Sequence, residues 1–428
     1  MSDMMRILED LTPLNRVMCS SDFDTTVEYL CRELPFEIQR FAAGEDYNGW
    51  IIPPKWDVEE AIIRRNGSII YDGKDHALAV IALSAPFEGT VDRGELRKHL
   101  HYDHRYPDSL TFHFRQQFRN WDRDWGFCVP KNFYDALEEG EYEVTIRTAE
   151  GEGYLDVLEY ELPGELEQTL VVSATPDHPG VSNDGLAGVV VAVELFKRLR
   201  TRNRKFTYRL VLPPSIMGTE YYLGHLPSHR KEPILEGLCL WMLGTETQLA
   251  LQEARDPDAE LADYIEDALR QENSQYRREA FEKVIINDEY IWEAHGISTA
   301  SLSRMPYPEY HSSRDNVSAM RESSLEEAVT VLLSAIEQFD QSSLIQKKFA
   351  GTVCLSNPAY NLYVDPGQIA FGDMPEETQT RMRFLMDLIP SLNRPTTTAR
   401  ISKKIGLPPE IVESYLQRWA DKGLLEMF

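Results

Sequence analysis

The clearest pattern of apolar and polar positions along this chain lies between residues 170 and 199. Residues 170–174 form a short apolar run with β-branched members, which is typical of a strand buried on both faces. Apolar residues then recur at intervals of three and four, at Leu186, Val189, Val190, Val193 and Phe196. This spacing predicts a helix that begins near Gly185 and packs one face against the strand.

The same alternation of apolar runs and helical spacing continues towards residue 345. Three further apolar runs predict buried strands at 208–212, 238–243 and 297–302. Helical spacing predicts helices at 186–200, 260–272 and 323–339. Strands that alternate with helices favour an α/β domain, in which helices flank a mostly parallel sheet. A further helix predicted at 22–34 assigns residues 1–49 to the same domain.

Residues 50–163 interrupt this pattern with short alternating runs that lack helical spacing. Two of these runs, YEVTIRT and YLDVLEYELPG, flank the sequence AEGEG, which predicts a β-hairpin. We therefore expect an inserted, mostly β module at 50–163. It divides the α/β domain into two pieces, residues 1–49 and 164–345.

The last part of the chain predicts a separate small domain. Residues 346–374 are rich in Pro, Asn, Tyr and Gly and are predicted to connect it to the α/β domain. Residues 375–428 carry three runs of helical spacing, with a tight turn at 406–408, which favours a winged helix-turn-helix domain. Its acidic and basic residues are nearly balanced. We therefore expect a protein partner or self-association there rather than nucleic acid.

Composition narrows the class of protein. A chain of 428 residues is long enough for two or three domains, and it has no apolar run long enough to span a bilayer. The net charge of -26 disfavours nonspecific binding to nucleic acid or anionic membranes. Its five cysteines are dispersed, which argues against a disulfide framework and a thiolate zinc site. The first residues lack the features of a signal peptide, so we expect a cytoplasmic protein.

Candidate metal ligands lie in the loop after the strand predicted at 170–174. His178 and Asp184 stand at the carboxyl end of that strand, where open α/β sheets place their ligand sites. An imidazole and a carboxylate suit a divalent metal such as zinc. His311, which precedes the last long helix of the α/β domain, can return to the same edge. The alternative is a solvated loop in which Asn183 or Asp184 caps the following helix.

Other polar residues at the strand ends are candidates for catalysis or for completing the metal site. Asp288 and Glu289 lie close together before the fourth predicted strand, and Asp288 is a further candidate metal ligand. Glu289 and Glu309 are candidates for a general base, which must lie within hydrogen-bond reach of the water that it deprotonates. Ser215 follows the second predicted strand.

Several pieces of this sequence, taken in order, resemble a known family. They are IPPKW, WGFCVP, HPGVSNDGLAG, YPEYHSSRDN and the predicted winged helix. Together they are similar to bacterial aminopeptidase-like proteins of unknown function, which are distant relatives of the co-catalytic zinc aminopeptidases and glutamate carboxypeptidases. The resemblance covers essentially the whole chain. It implies a zinc-exopeptidase-like fold with an inserted β module.

The resemblance also implies roles for three acidic or histidine positions. The parent enzymes hold two zinc ions, which one aspartate bridges, and a glutamate takes a proton from the metal-bound water. Asp184 matches the bridging aspartate and His311 matches the distal histidine ligand. Asp288 matches an acidic position that the closer relatives retain.

The sequence departs from the family at several of these positions. Relatives read His-Ile-Cys-His-Pro where this chain reads TPDHP at 175–179, so one candidate histidine is lost. Relatives read Pro-Glu-Thr-Ile-Gly where this chain reads PSIMG at 214–218, and Ser215 cannot act as a general base. The third predicted strand ends without the expected aspartate ligand, unless Glu246 bends inward.

Three hypotheses follow from the matches and the departures. The first is a peptidase-like scaffold with a degraded metal site, which binds a peptide, a metabolite or a protein without catalysis. The second is a divergent aminopeptidase or amidase with a single zinc ion, which hydrolyses a peptide-like bond. The third is a regulator that contacts DNA through its winged helix. The first is favoured because several ligand or base positions are substituted in one site.

Overall fold

The structure is a computed structural model that describes residues 2–363 and 376–428. The chain divides into two compact units, Met1–Ile336 and Glu337–Phe428. Of the connecting segment predicted at 346–374, residues 364–374 lie outside the described residues, as does Pro375. Among the described helices, none is long and apolar enough to cross a membrane.

An eight-stranded sheet forms the centre of the first unit. In spatial order its strands are Glu37–Ala42, Tyr154–Leu162, Thr207–Leu212, Thr169–Ser173, Ile234–Trp241, Thr299–Ser303, Leu249–Gln252 and Tyr276–Glu279. The four central strands, from Thr207–Leu212 to Thr299–Ser303, run parallel to one another. The prediction of a mixed α/β fold with a mostly parallel sheet is confirmed.

The longer helices of this unit are Asp3–Leu11, Ser21–Glu33, Gly188–Leu199, Met217–His225, Leu261–Gln271, Asp288–Ala294 and Glu322–Asp340, of which the last ends in the second unit. Each of them buries apolar side chains. Shorter helices lie at Arg93–Lys98, Lys131–Asp135 and Ser228–Lys231. Gly188–Leu199 is the most apolar of the helices near the centre, and its valines and Phe196 are buried. A Cβ at Gly188 would lie 2.1 Å from the carbonyl oxygen of Leu240, so this glycine lets the helix approach the sheet closely.

A second, four-stranded antiparallel sheet lies within the segment predicted to be a β module. Its strands, in spatial order, are Ser68–Asp72, Lys55–Arg65, Glu141–Gly151 and Phe87–Asp92. Trp56, Ile63, Phe127 and Val144 belong to its own core of buried residues. Short strand pairs lie at Asp46–Tyr47 with Trp50–Ile51 and at Leu100–His101 with Phe127–Cys128.

The prediction of a β-hairpin at the end of this segment is wrong. Glu141–Gly151 belongs to the four-stranded sheet, whereas Tyr154–Leu162 crosses to the eight-stranded sheet and pairs with Glu37–Ala42 and Thr207–Leu212. The reason is burial on both faces, since consecutive residues 155–159 of this strand are all buried. Such a strand needs cover on both sides, which the interior of the large sheet provides. The strand Tyr154–Leu162 therefore belongs to the sheet of the α/β domain and not to the β module predicted at 50–163.

Besides the end of the helix Glu322–Asp340, the described residues of the second unit form three α-helices and a three-stranded sheet. The helices are Glu376–Leu388, Thr398–Ile405 and Pro409–Ala420, and the strands are Leu344–Lys347, Thr396–Thr397 and Leu425–Met427. Gly406 ends the second helix in a left-handed conformation, with φ of 72°. Leu344–Lys347 pairs with both other strands, so residues 344 and 345 pack in this unit and not in the α/β domain. The assignment of a winged helix stays a prediction.

Candidate metal centre

The loop after the central strand Thr169–Ser173 has an irregular backbone that places its polar side chains. Asp184 and Gly185 have non-helical dihedral angles, and the regular helix begins only at Gly188. Gly185 has φ of 89°, and a Cβ there would lie 2.6 Å from the carbonyl oxygen of Thr175. Only glycine fits this position without strain. The predicted helix start near Gly185 is therefore a turn that orients Asp184.

Three side chains from two distant segments meet at the carboxyl edge of the parallel strands. His311 Nε2 lies 3.0 Å from Asp184 Oδ2, and His178 Nε2 lies 3.9 Å from the same oxygen. One ligand atom from each residue lies within 4.8 Å of the others. Among residues 2–363 and 376–428, this is the one group of three or more such side chains with that spacing.

Burial and charge act together on these three residues. Burial favours the neutral form of His178, but the carboxylates of Asp184 and Asp177 outweigh it and raise the pKa of His178 to about 9. Burial also favours the neutral form of Asp184, yet His178 and His311 hold the pKa of this carboxyl below its ordinary value. Without a metal ion the site therefore contains an imidazolium and a carboxylate, and metal binding would release the proton.

The residues present fit a divalent metal ion. Asp184 Oδ2 and His178 Nδ1 are buried and make no hydrogen bond of good geometry, although charged neighbours lie close to both. Two imidazoles and a carboxylate form a donor set typical of zinc sites that keep a position open for a ligand. The carboxylate of Asp177 lies 3.6 Å from His178 Nδ1, where it would orient the imidazole ring so that Nε2 faces the ion.

A buried carboxylate, Asp315, holds the backbone of the metal loop in place. Its Oδ1 accepts hydrogen bonds from the backbone N–H of Ser182 and Asn183 at 3.2 and 2.6 Å. Its Oδ2 accepts from the backbone N–H of Asp184 at 3.0 Å and from the hydroxyl of Tyr307 at 2.6 Å. Because Asp315 follows His311 by four positions, these bonds join the two ligand segments directly.

A second buried group, the guanidinium of Arg16, ties the N-terminal segment to the same loop. It donates to five backbone carbonyl groups, those of Leu11, Thr12, Pro176, His178 and Val181. Arg16 is fully buried, and its burial lowers its pKa to about 9. The guanidinium of Arg16 therefore joins the backbone near His178 to the end of the helix Asp3–Leu11.

Asp288 and Glu289 are close to the site but lie outside the three-residue group. Asp288 is fully buried, its Oδ2 accepts a hydrogen bond from Thr219 Oγ1 at 2.8 Å, and burial raises its pKa well above the ordinary value. The carboxyl of Glu289 accepts from Trp241 Nε1 at 3.2 Å and Gln252 Nε2 at 3.0 Å. Burial raises the pKa of Glu289 to about 7. Neither residue lines the pocket at the site.

The remaining candidate residues do not supply a base. Ser215 lines the pocket, and its backbone N–H donates to Asp177 Oδ1 at 3.0 Å. Glu309 is half-buried but does not line the pocket, and its carbonyl group accepts from Ser312. Glu246 does not bend inward, because its side chain is 76% exposed and pairs with Arg321.

A pocket of about 180 Å³ opens above the three candidate ligands. Its wall includes Phe112, Phe114 and Phe118, which lie along the chain between two strands of the four-stranded sheet, Phe87–Asp92 and Glu141–Gly151. The N–H of Phe112 donates to the carbonyl oxygen of His311 at 3.0 Å, so the segment is bonded to the backbone of a candidate ligand. Tyr310 stacks on the His311 ring, with 3.8 Å between centroids.

Comparison with known proteins places the chain in a family. The profile described as "Domain of unknown function (DUF4910)" matches residues 5–342. The chain belongs to the DUF4910 family. The predicted resemblance to aminopeptidase-like proteins of unknown function is confirmed.

A sequence relative and a solved structure, both from Clostridium acetobutylicum, are similar to this DUF4910 chain. One, named "Putative polysaccharide biosynthesis protein with aminopeptidase-like domain", is 27% identical over 342 residues, which cover 78% of this chain and 77% of the relative. The other is the crystal structure of a "putative peptidase", with 23% identity and a TM-score of 0.76, covering 100% of this chain and 96% of that one.

A zinc aminopeptidase has the same fold at greater distance. BSAP, a zinc aminopeptidase from Bacillus subtilis, is 12% identical with a TM-score of 0.59, covering 78% of the DUF4910 chain and 94% of its own. At this identity the similarity shows the fold alone. The eight-stranded sheet with its flanking helices is thus of the zinc aminopeptidase type.

The sequence did not reveal several residues that shape the site of this DUF4910 protein. Phe112, Phe114 and Phe118 lie in TFHFRQQF, where alternate aromatic residues in a polar run were the available signal. Asp315 was visible as the last acidic residue of YPEYHSSRDN, but its role as a backbone acceptor was not. Arg16 gave no signal, since a single arginine in a polar segment is ordinarily solvated.

Proposed function

We propose that this DUF4910 protein binds a peptide-like or small-molecule ligand at a single zinc ion and does not hydrolyse it. His178, Asp184 and His311 would hold the ion. The observation that carries the proposal is the composition of the pocket: its lining contains these three residues and one further carboxylate, Asp177. A zinc ion in this site would supply a Lewis acid that attracts the oxygen of a ligand.

The lining of the pocket offers no suitable general base to accept the proton of the water that a hydrolase would use. A general base needs hydrogen-bond reach to the reacting water and an unoccupied acceptor oxygen. Asp177 Oδ1 accepts from the backbone N–H of Ser215 and lies 3.6 Å from His178 Nδ1, a position that suits orienting the ring of a metal ligand. Ser215 has a hydroxyl where the parent enzymes have an acidic region, and Glu289 is bonded to Trp241 and Gln252. Binding without hydrolysis is the function that this lining supports.

We expect one zinc ion per chain, as measured by calorimetry and by elemental analysis after dialysis. In a His178→Ala/His311→Ala variant, zinc affinity should fall at least about 100-fold, because two of three ligands are lost. The matched control is His104→Ala/His229→Ala, which removes two exposed histidines and should leave zinc affinity unchanged. Equal zinc affinity in both double variants would contradict the site.

The absence of hydrolysis is tested on the zinc-loaded chain. Aminoacyl and N-acyl aminoacyl p-nitroanilides cover peptidase and amidase activity, and release of nitroaniline is followed by absorbance. We expect the wild-type rate to equal that of the His178→Ala/His311→Ala variant. A zinc-dependent rate that this variant loses would establish the alternative function, a divergent aminopeptidase or amidase with one zinc ion.

We also propose that residues 50–163, without the strand Tyr154–Leu162, are an inserted β module and that 375–428 form a winged helix in a cytoplasmic protein. The winged helix would contact a protein partner or a second copy of the chain. Exposed Glu410 and Glu413 on its last helix, and Asp421 directly after that helix, disfavour a phosphate backbone. A mobility shift with duplex DNA that weakens as salt is raised would instead support the regulator hypothesis.

A further inference from the structure

Phenylalanine and isoleucine side chains form one part of the wall of the pocket above the candidate metal ligands, and Gln117, Ser215 and Asn287 add polar groups to it. The ring centroids of Phe112 and Phe114 each lie 5.3 Å from that of His311, and Phe112 lies 5.4 Å from His178. Ile216 and Ile286 line the pocket from two other segments. Because Ile286 is 60% exposed, apolar surface continues from the metal ligands to solvent.

Each carboxylate in this lining has one oxygen directed at an imidazole ring. Asp184 lies between His178 and His311, and Asp177 accepts the N–H of Ser215 beside His178. The described residues that line the pocket include no lysine or arginine. A bound zinc ion would balance the two carboxylates. The loaded pocket would then carry no net charge to attract an ion of either sign.

An ammonium group that entered this loaded pocket would lose its water beside a zinc ion whose charge already balances both carboxylates of the lining. Burial of an unpaired ion is strongly unfavourable, whereas an apolar group gains free energy from the same burial. The volume of about 180 Å³ is below the roughly 300–1,000 Å³ typical of pockets for drug-sized ligands. The space therefore suits one group of about the size of an amino-acid side chain.

We propose that the pocket takes an uncharged, apolar acyl group attached to a metal-binding oxygen, and that it rejects the free ammonium group of an unblocked peptide. This inference rests on the proposed zinc site and adds the chemical class of its ligand. N-acylated amino acids and short apolar amides belong to this class. The substrates that define an aminopeptidase, which carry a free amino terminus, do not.

Three hydroxamates test the proposal on the full zinc-loaded chain at pH 6.5, where an α-amino group is mostly protonated. Acetohydroxamate carries the metal-binding group almost alone. 4-Methylpentanohydroxamate adds an apolar chain, and leucine hydroxamate is the same molecule with an α-ammonium group. Calorimetry should show that 4-methylpentanohydroxamate binds at least about tenfold more tightly than either of the other two.

The outcomes separate this inference from the proposed function. If acetohydroxamate binds and leucine hydroxamate binds as tightly as 4-methylpentanohydroxamate, the zinc site stands and the ligand class is wrong. If the wild-type chain binds none of the three hydroxamates more tightly than the His178→Ala/His311→Ala variant does, the proposed zinc site is wrong. The inference about the ligand class is then wrong as well.

A pair of variants at Ile216 isolates the effect of charge. Ile216→Asp places a carboxylate in the lining, and Ile216→Asn places an amide of nearly the same shape there. Leucine hydroxamate should bind the aspartate variant at least about fivefold more tightly than the asparagine variant, because only the former pairs with its ammonium group. 4-Methylpentanohydroxamate should not gain. Equal binding of leucine hydroxamate to both variants would contradict the electrostatic argument.

Discussion

An Arg16→Met variant is expected to unfold with a free energy about 4 kcal/mol below that of the wild type. Methionine fills similar space but donates no hydrogen bond, so the backbone carbonyl groups of Thr12, Pro176, His178 and Val181 lose their donor, while that of Leu11 keeps the N–H of Leu14. Each unsatisfied buried acceptor costs roughly 1–3 kcal/mol, and removal of a buried charge offsets part of the sum. Urea denaturation followed by far-UV circular dichroism measures the change.

Two further variants show whether the carbonyl groups cause this loss. Arg16→Lys keeps the charge but offers three donors on one atom, so an intermediate loss is expected. Arg119→Met removes an exposed arginine that pairs with Asp122, and should change stability by less than about 1 kcal/mol. A loss for Arg16→Met no larger than that for Arg119→Met would show that the buried guanidinium does not hold the metal loop.

Glu289 should make the protein less stable as the pH rises through the neutral range. Its folded-state pKa of about 7 lies above the ordinary value of 4.5, so the folded chain binds this proton more tightly than the unfolded chain does. The free energy of unfolding should therefore fall between about pH 4.5 and 7 and then level off. The shift corresponds to roughly 3 kcal/mol.

A Glu289→Gln variant should lack this fall, because its side chain does not ionise. Asp315 titrates equally in both chains, whereas the charge of Glu289 helps to raise the pKa of Asp288, so the difference between the two stability curves reports Glu289 together with its effect on Asp288. Urea denaturation from pH 4.5 to 8 in the presence of a chelator gives both curves. Glu246→Gln, at an exposed position, should run parallel to the wild type. Parallel curves for Glu289→Gln as well would contradict the raised pKa.

The sequence was most informative where burial acts on consecutive residues. The run at 170–174 is apolar except for Ser173, and the structure places a strand at Thr169–Ser173 with every residue buried. The spacing of Val189, Val190, Val193 and Phe196 predicted the helix Gly188–Leu199, because these positions lie on one buried face of it. Because parallel strands end at one edge, the polar residues after two of them were expected to meet. The structure brings together His178, Asp184 and His311 there.

What the sequence did not show depends on contacts between distant segments. The strand Tyr154–Leu162 follows Glu141–Gly151 closely, so local pattern favoured a hairpin, but two-sided burial placed it in the other sheet. Glu289 has the residue type of a general base, yet Trp241 and Gln252 engage its carboxyl. A side chain's partners, and not its type or position along the chain, decide whether it is available for chemistry.

The hydrogen bonds of Asp315 have a consequence for the thermodynamics of metal binding. Backbone groups of Asn183 and Asp184 are fixed by this carboxylate, which belongs to the same segment as His311. The folded chain therefore aligns its ligand segments before an ion arrives. Binding of the ion therefore costs little of the conformational entropy that ordering a disordered loop would cost. The affinity then depends mainly on desolvation of the ion and on loss of the His178 proton.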